Sequence, residues 1–140
     1  MLAETESGAH GTLTASKLTT GTNDDLGFAI YGTKGALRFS LMDPNYLEFY
    51  DNTAPHEPYG GLGGFTRIEC VGRYPAPAGA FPSPKAAQGW LRGHVMGMYS
   101  FLCSVYEGKQ TAPSFEDGAY VQRVMEAALL SDREGAERLV

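Results

Sequence analysis

Residues 26–41 read LGFAIYGTKGALRFSL, and the fold class turns on how that stretch is punctuated. Leu26, Phe28 and Ile30 recur at every second position, and so do Leu37, Phe39 and Leu41, with Arg38 and Ser40 between them. Period-two alternation sends successive side chains to opposite faces of a strand, so each arm is predicted to be a strand with one apolar face. Between the arms, Tyr31-Gly32-Thr33-Lys34-Gly35 reads as a turn in which glycine supplies the positive φ of a tight reversal. Strands joined by so short a turn are antiparallel neighbours.

The same reading extends outward. Upstream, residues 11–16 alternate Thr12, Thr14 and Ser16 against Leu13 and Ala15, a further strand. Downstream, Asp43-Pro44-Asn45 turns the chain, and residues 46–50 set Leu47 and Phe49 against Tyr46, Glu48 and Tyr50. Tyr46, Tyr50 and Thr12 are expected to share an outward sheet face, better suited to a subunit interface than to stacking on a sugar. A loop containing Gly, Pro and His follows over residues 51–64, then a short β-segment over residues 65–71. Residues 72–88 carry Pro75, Pro77, Pro82 and Pro84 and read as a long surface loop, a class of segment often functional.

Beyond residue 89 the period changes. Leu91, Val95, Met98, Leu102 and Val105 recur at helical intervals, with Trp90, His94, Gly97 and Phe101 as a second stripe beside them. A helix apolar over two stripes is expected to be largely buried, and Gly108 stands where it should stop. After Pro113, Ser114-Phe115-Glu116-Asp117 has the form of a capping box opening a second helix. Gly118, Val121, Met125 and Ala128 line that helix, whose small residues would allow close approach to the first, and residues 132–135 end it. Residues 136–140 are read as a last strand. The expectation is an α+β fold: a mostly antiparallel open sheet with helices packed on one face.

Composition bounds the partners. The chain has 140 residues, room for one domain, of which 43% are hydrophobic and 19% charged. Its 18 Gly and 8 Pro imply frequent turns, interleaved with enough Phe, Tyr, Leu and Val to argue against disorder. A net charge of −5 without a basic cluster speaks against nucleic acid. No stretch approaches the ~20 apolar residues of a membrane span and no secretory leader is evident, so no membrane partner and a cytoplasmic location are expected. Cys70 and Cys103 lack zinc-site spacing and read as free thiols, with a single disulfide as the alternative.

Most chemistry-bearing motifs are missing. Gly60-Gly61-Leu62-Gly63-Gly64 fails the dinucleotide fingerprint, because Thr66 stands where Gly61 and Gly63 would require the third glycine. Lys109 has no P-loop before it, and no nucleophile elbow occurs. His10, His56 and His94 are too scattered for a metal site. His94 is read either as a packed imidazole beside Trp90 or as a hydrogen-bonding group where the Pro-rich loop meets the helix. Arg92 and Arg67 are read first as exposed or paired charges, and second as substrate clamps.

Taken in order, residues 11–16, the Ile30-Tyr31-Gly32-Thr33-Lys34-Gly35-Ala36-Leu37 turn, the Pro-rich loop, the helix over residues 90–105, Glu107-Gly108-Lys109 and Pro113-Ser114-Phe115-Glu116-Asp117-Gly118 resemble the C-terminal domain of the Gfo/Idh/MocA oxidoreductases, the glucose–fructose oxidoreductase and inositol dehydrogenase family. The resemblance runs from about residue 8 to residue 140. It implies a parent enzyme dependent on NAD or NADP and acting on a sugar, inositol or related polyol. In it this chain would shape the substrate site and form homo-oligomer contacts, and a separate Rossmann domain would bind the cofactor. The family's catalytic Lys lies in a Glu-Lys-Pro motif and its catalytic His follows an Asp by four residues. Neither pattern occurs here, so no catalytic and no cofactor-binding residue is expected in residues 1–140, a single C-terminal domain inactive by itself. Trp90 and His94, with Arg92 weaker, are the substrate-binding residues the resemblance implies. The rival reading is a non-catalytic module for sheet-mediated dimerisation or carbohydrate binding.

Overall fold

The structure, a computed structural model, describes residues 1–74, 77 and 79–140; Pro75, within the expected long loop, lies outside the described residues. In chain order the elements are β1 (Leu2–Glu4), β2 (His10–Thr12), β3 (Gly27–Gly32), β4 (Gly35–Ser40), β5 (Tyr46–Asp51), β6 (Phe65–Glu69), α1 (Trp90–Glu107) and α2 (Phe115–Glu134). They form two compact units, one of Gly21–Tyr99 and one of Met1–Thr20 with Ser100–Val140. Both sheets are open and antiparallel, which makes the chain α+β.

The first unit is built on a meander in the order β3-β4-β5-β6. Phe28 pairs with Phe39 and Ile30 with Leu37, and Leu37 pairs in turn with Phe49, so the apolar alternation of each strand is brought to one face. Leu47 opposite Ile68 continues that face onto β6. The Phe28 and Phe39 rings stack with centroids 5.7 Å apart, and on the opposite face Ala36, the second residue of β4, is buried.

The β3–β4 reversal is where expectation and structure part. Thr33 and Lys34 form the two-residue connection between Gly32 and Gly35, yet neither glycine takes a positive φ. Gly35 is needed for space: a Cβ there would lie 2.3 Å from the carbonyl oxygen of Tyr50 on the neighbouring strand. Gly27 meets the same limit, 2.6 Å from the carbonyl oxygen of Phe39. In both cases the side-chain-free residue lets two backbones approach.

In the other unit, β1 and β2 form a short ladder with Leu2 opposite Thr12. Thr12 therefore belongs to a different sheet from Tyr46 and Tyr50, and the expected shared face of all three is corrected. The strand read over residues 11–16 stops at Thr12, since β1 offers partners only as far as Met1, whose carbonyl accepts the Leu13 N–H at 2.9 Å. The last strand read over residues 136–140 is not formed. Gly135 closes α2 in the left-handed region at φ 63°, and Arg138 turns back to pair with Glu134.

Local chemistry ends α1 and bounds α2 on both sides. Gly108, at φ 64°, ends α1, and the Lys109 N–H reaches back to the Ser104 carbonyl at 3.1 Å. At the start of α2 the Ser114 hydroxyl accepts the Asp117 N–H at 3.2 Å while the Asp117 carboxylate accepts the Ser114 N–H at 2.6 Å, a complete capping box. The paired stripes of α1 are not buried as expected: Leu91 is 63% and Leu102 60% exposed. Periodicity identifies which face of a helix is apolar and is silent on what covers it.

Two outcomes follow. Gly35→Ala, forced against the Tyr50 carbonyl, lowers stability by about 1–3 kcal/mol, measured by urea denaturation. Asp117 accepts hydrogen bonds from the Ser114 backbone and then its side chain, which hold its carboxyl below the usual range. A depressed folded-state value stabilises the cap above the unfolded-state value and is lost as pH falls through the folded one. Helix content measured by circular dichroism should thus fall as pH drops below about 4, and fall less steeply in D117N, whose amide oxygen still accepts the Ser114 N–H without titrating.

Candidate functional site

Within the unit of Gly21–Tyr99 the start of α1 is fixed by three hydrogen bonds, two of them between residues far apart in sequence. The Gln88 N–H donates to Asn45 Oδ1 in the β4–β5 turn at 2.7 Å, and Gln88 Nε2 donates to the Val71 carbonyl just past β6 at 3.0 Å. One turn into the helix, Arg92 Nη1 donates to the Ala86 carbonyl at 2.8 Å. The end of the Pro-rich loop is thereby held at both the sheet side and the helix side. Lys85 and Ala86 are further shaped by Ser83, whose hydroxyl accepts the Lys85 N–H and whose carbonyl accepts the Ala86 N–H.

This arrangement divides the three residues singled out from sequence. Trp90 and His94, one helical turn apart, lie on the same side, with ring centroids 5.5 Å apart in an edge-on contact, and both are exposed. Arg92 is 8% exposed and directed into the loop it holds, where the sequence reading favoured a surface or paired charge. A buried guanidinium with a carbonyl acceptor acts on backbone position. Trp90 at 66% exposure offers an apolar ring and His94 a polar edge, a combination that suits a hydroxylated ligand presenting a C–H face and hydroxyl groups.

A second cluster, one sequence reasoning saw only in part, occupies the sheet face opposite Phe28, Leu37 and Phe49. Cross-strand register aligns Ala29, Arg38, Glu48 and Arg67 in one row, and Tyr31, Ala36, Tyr50 and Phe65 in the next. Arg38 lies 3.9 Å above the Phe65 ring centre, and Arg67 lies 4.1 Å above that of Tyr46 while pairing with Asp43. Tyr46 and Tyr50 do share this face, as expected, and the Tyr50 ring is 5.5 Å from that of Phe65. A hollow of about 520 Å³ opens over Gly27, Ala29, Arg38, Glu48 and Arg67. The alternation of Arg38 and Glu48 was legible strand by strand; their alignment needed the register.

The glycine-rich loop of residues 60–64 leads from β5 into β6, so it provides no helix N-terminus for a pyrophosphate, and it does not fit a nicotinamide dinucleotide. Cys70 and Cys103 are free thiols. No cluster of His, Cys, Asp or Glu among the described residues could hold a metal ion, and none of their helices is long and apolar enough to cross a membrane.

Loss of the Arg92 anchor should loosen the loop without disturbing the sheet. Arg92→Ala removes a hydrogen bond from a charged donor, worth about 1.5–3 kcal/mol. Trypsin should cut after Lys85 faster in that variant, with the thermal transition lowered by only a few degrees.

Comparison with known proteins places this geometry. The family model described as the oxidoreductase family C-terminal alpha/beta domain matches residues 1–139. Levoglucosan dehydrogenase of Pseudarthrobacter phenanthrenivorans is 26% identical over 126 residues, 89% of this chain and 31% of that protein. The crystal structure of an oxidoreductase domain protein from Kribbella flavida superposes with a TM-score of 0.81 at 34% identity, over 96% of this chain and 34% of its own. A levoglucosan dehydrogenase in complex with NADH and levoglucosan gives 0.83 at 23% identity, over 96% of this chain and 36% of its own, a likeness of fold. The chain thus spans about a third of the length of the relatives it matches. With the open antiparallel sheet, the two helices and a family match over residues 1–139, this chain belongs to the Gfo/Idh/MocA oxidoreductases as their C-terminal alpha/beta domain.

Proposed function

We propose that this domain serves a nicotinamide-dependent dehydrogenase of a sugar or related polyol, and that its part is to shape the substrate side and to join subunits. The observation that carries the reading is the family match over residues 1–139. One relative is a levoglucosan dehydrogenase, and a solved levoglucosan dehydrogenase of the same fold is in complex with NADH and levoglucosan, which favours a sugar and NAD(H) over an inositol or NADP. Trp90 and His94 are the proposed substrate contacts, one by ring stacking and one by hydrogen bonding, and Arg92 acts through the loop end it holds. The acid–base pair that works on the reacting hydroxyl is proposed to come from outside residues 1–140, since the family's Glu-Lys-Pro and Asp-to-His patterns do not occur in them. The polar sheet face bearing Arg38, Glu48 and Arg67 is the proposed subunit contact.

An assay of these 140 residues with NAD(H) or NADP(H) and a panel of hexoses, inositols and levoglucosan should give no turnover; measurable turnover would sink the division of labour. In the complete enzyme, Trp90→Ala and His94→Ala should each raise KM about tenfold, the equivalent of about 1.4 kcal/mol of binding, with kcat changed less. Unchanged KM in both variants would move the substrate site away from α1.

A further inference from the structure

The two helices differ in what starts them. α2 carries a capping box, whereas α1 follows Gly89, which has no side chain to accept a first-turn N–H, and its first turn holds no acidic residue. The placement of Trp90, the first residue of α1, is therefore left to contacts outside the helix. Of the three hydrogen bonds at this junction, the one from Arg92 stays within loop and helix, and the two from Gln88 reach the sheet side.

Those two close a ring. The Asn45 carbonyl accepts the Cys70 N–H at 2.8 Å, one step past the Tyr46–Glu69 pair that ends the β5–β6 ladder. The chain runs on through Cys70 to the Val71 carbonyl, which accepts Gln88 Nε2 at 3.0 Å, and the Gln88 N–H returns to Asn45 Oδ1 at 2.7 Å. Asn45 thus gives its main chain to the sheet and its side chain to the helix start. Asn45, Cys70, Val71 and Gln88 are all half-buried, so water competes less for these bonds and each supports the next. Gln88 stands two residues before Trp90, so a displacement at the ring is passed directly to the indole. His94 lies one turn further on, where the helix ladder holds it.

We propose that Asn45 and Gln88 are positioning residues for the sugar or polyol substrate, the ring they close fixing Trp90 against the end of the sheet before the ligand arrives. The inference rests on the reading of Trp90 as a substrate contact and adds the groups that act through it. Asn45 serves the helix start by an acceptor oxygen, so aspartate can replace it there and alanine cannot. Order established in advance lowers the cost of binding without touching the reacting atoms, and so is felt in KM and not in kcat.

The test measures KM and kcat of the complete enzyme with NAD or NADP and whichever member of the panel above it turns over fastest. N45A, and Q88M, which keeps the side-chain length without the donor, should each raise KM about three- to tenfold with kcat within about twofold. N45D should bring KM back to near that of the unsubstituted enzyme. Introduced into W90A, N45A should add nothing further, the non-additivity of two residues that act through one contact. A merely structural loss would lower kcat with the folded fraction, leave KM in place and add to W90A. Circular dichroism checks each variant, and where N45A does not fold, Q88M alone and combined with W90A makes the same comparison. A raised KM in W90A with KM unchanged in N45A and Q88M overturns the positioning role and leaves the Trp90 contact standing, as does additivity with W90A or failure of N45D to restore KM. Unchanged KM in W90A, or no turnover of any member of the panel, overturns the substrate reading and this inference with it.

Discussion

Cross-strand register in the β3-β4-β5-β6 meander is the constraint on which the other features depend. Side chains alternate with a period of two, so a slip of one residue between β4 and β5 would carry Leu37 and Phe39 to the face of Arg38 and bring Arg38 into the apolar layer. The two-residue Thr33-Lys34 connection fixes one side of β4, and the close approach of Gly35 to the Tyr50 carbonyl fixes the other. Once those are set, Asn45 stands at the end of the sheet where it can accept the Gln88 N–H, and α1 starts where it does. The charged row and the helix start are two results of one pairing pattern.

How much of this could be read beforehand depends on the range of the interactions involved. The strand alternation, the capping box at Ser114 and the stop at Gly135 are set by neighbours within a few residues, and each was legible. The role of Gly35 was not, because its demand comes from Tyr50, on a different strand. Thr12 shows the same limit: its alternation with Leu13 is real, yet nothing local says that its partner is Leu2 and not the main sheet. Residues 136–140 have strand-compatible side chains and no strand beside them.

At the candidate site the division is similar. Trp90 and His94 four residues apart on a helix were bound to be neighbours, and the structure sets them edge to face. The burial of Arg92 depends on the path of a loop rich in proline, for which sequence offers no period, and so its direction toward Ala86 could be found only in three dimensions. Glu48 is a further case. In the sequence it is one acidic residue in an amphipathic strand; between Arg38 and Arg67 it becomes the centre of a charge pattern.

The position of Trp90 has a practical side. It is the single tryptophan of the chain, it opens α1, and an imidazole stands against its ring. The long-wavelength emission of these 140 residues therefore comes from one indole at one helix start, and no background from elsewhere in them has to be subtracted. Spectroscopy at that wavelength watches the junction of loop and helix, held through Gln88 and Arg92, while the sheet stays dark to it.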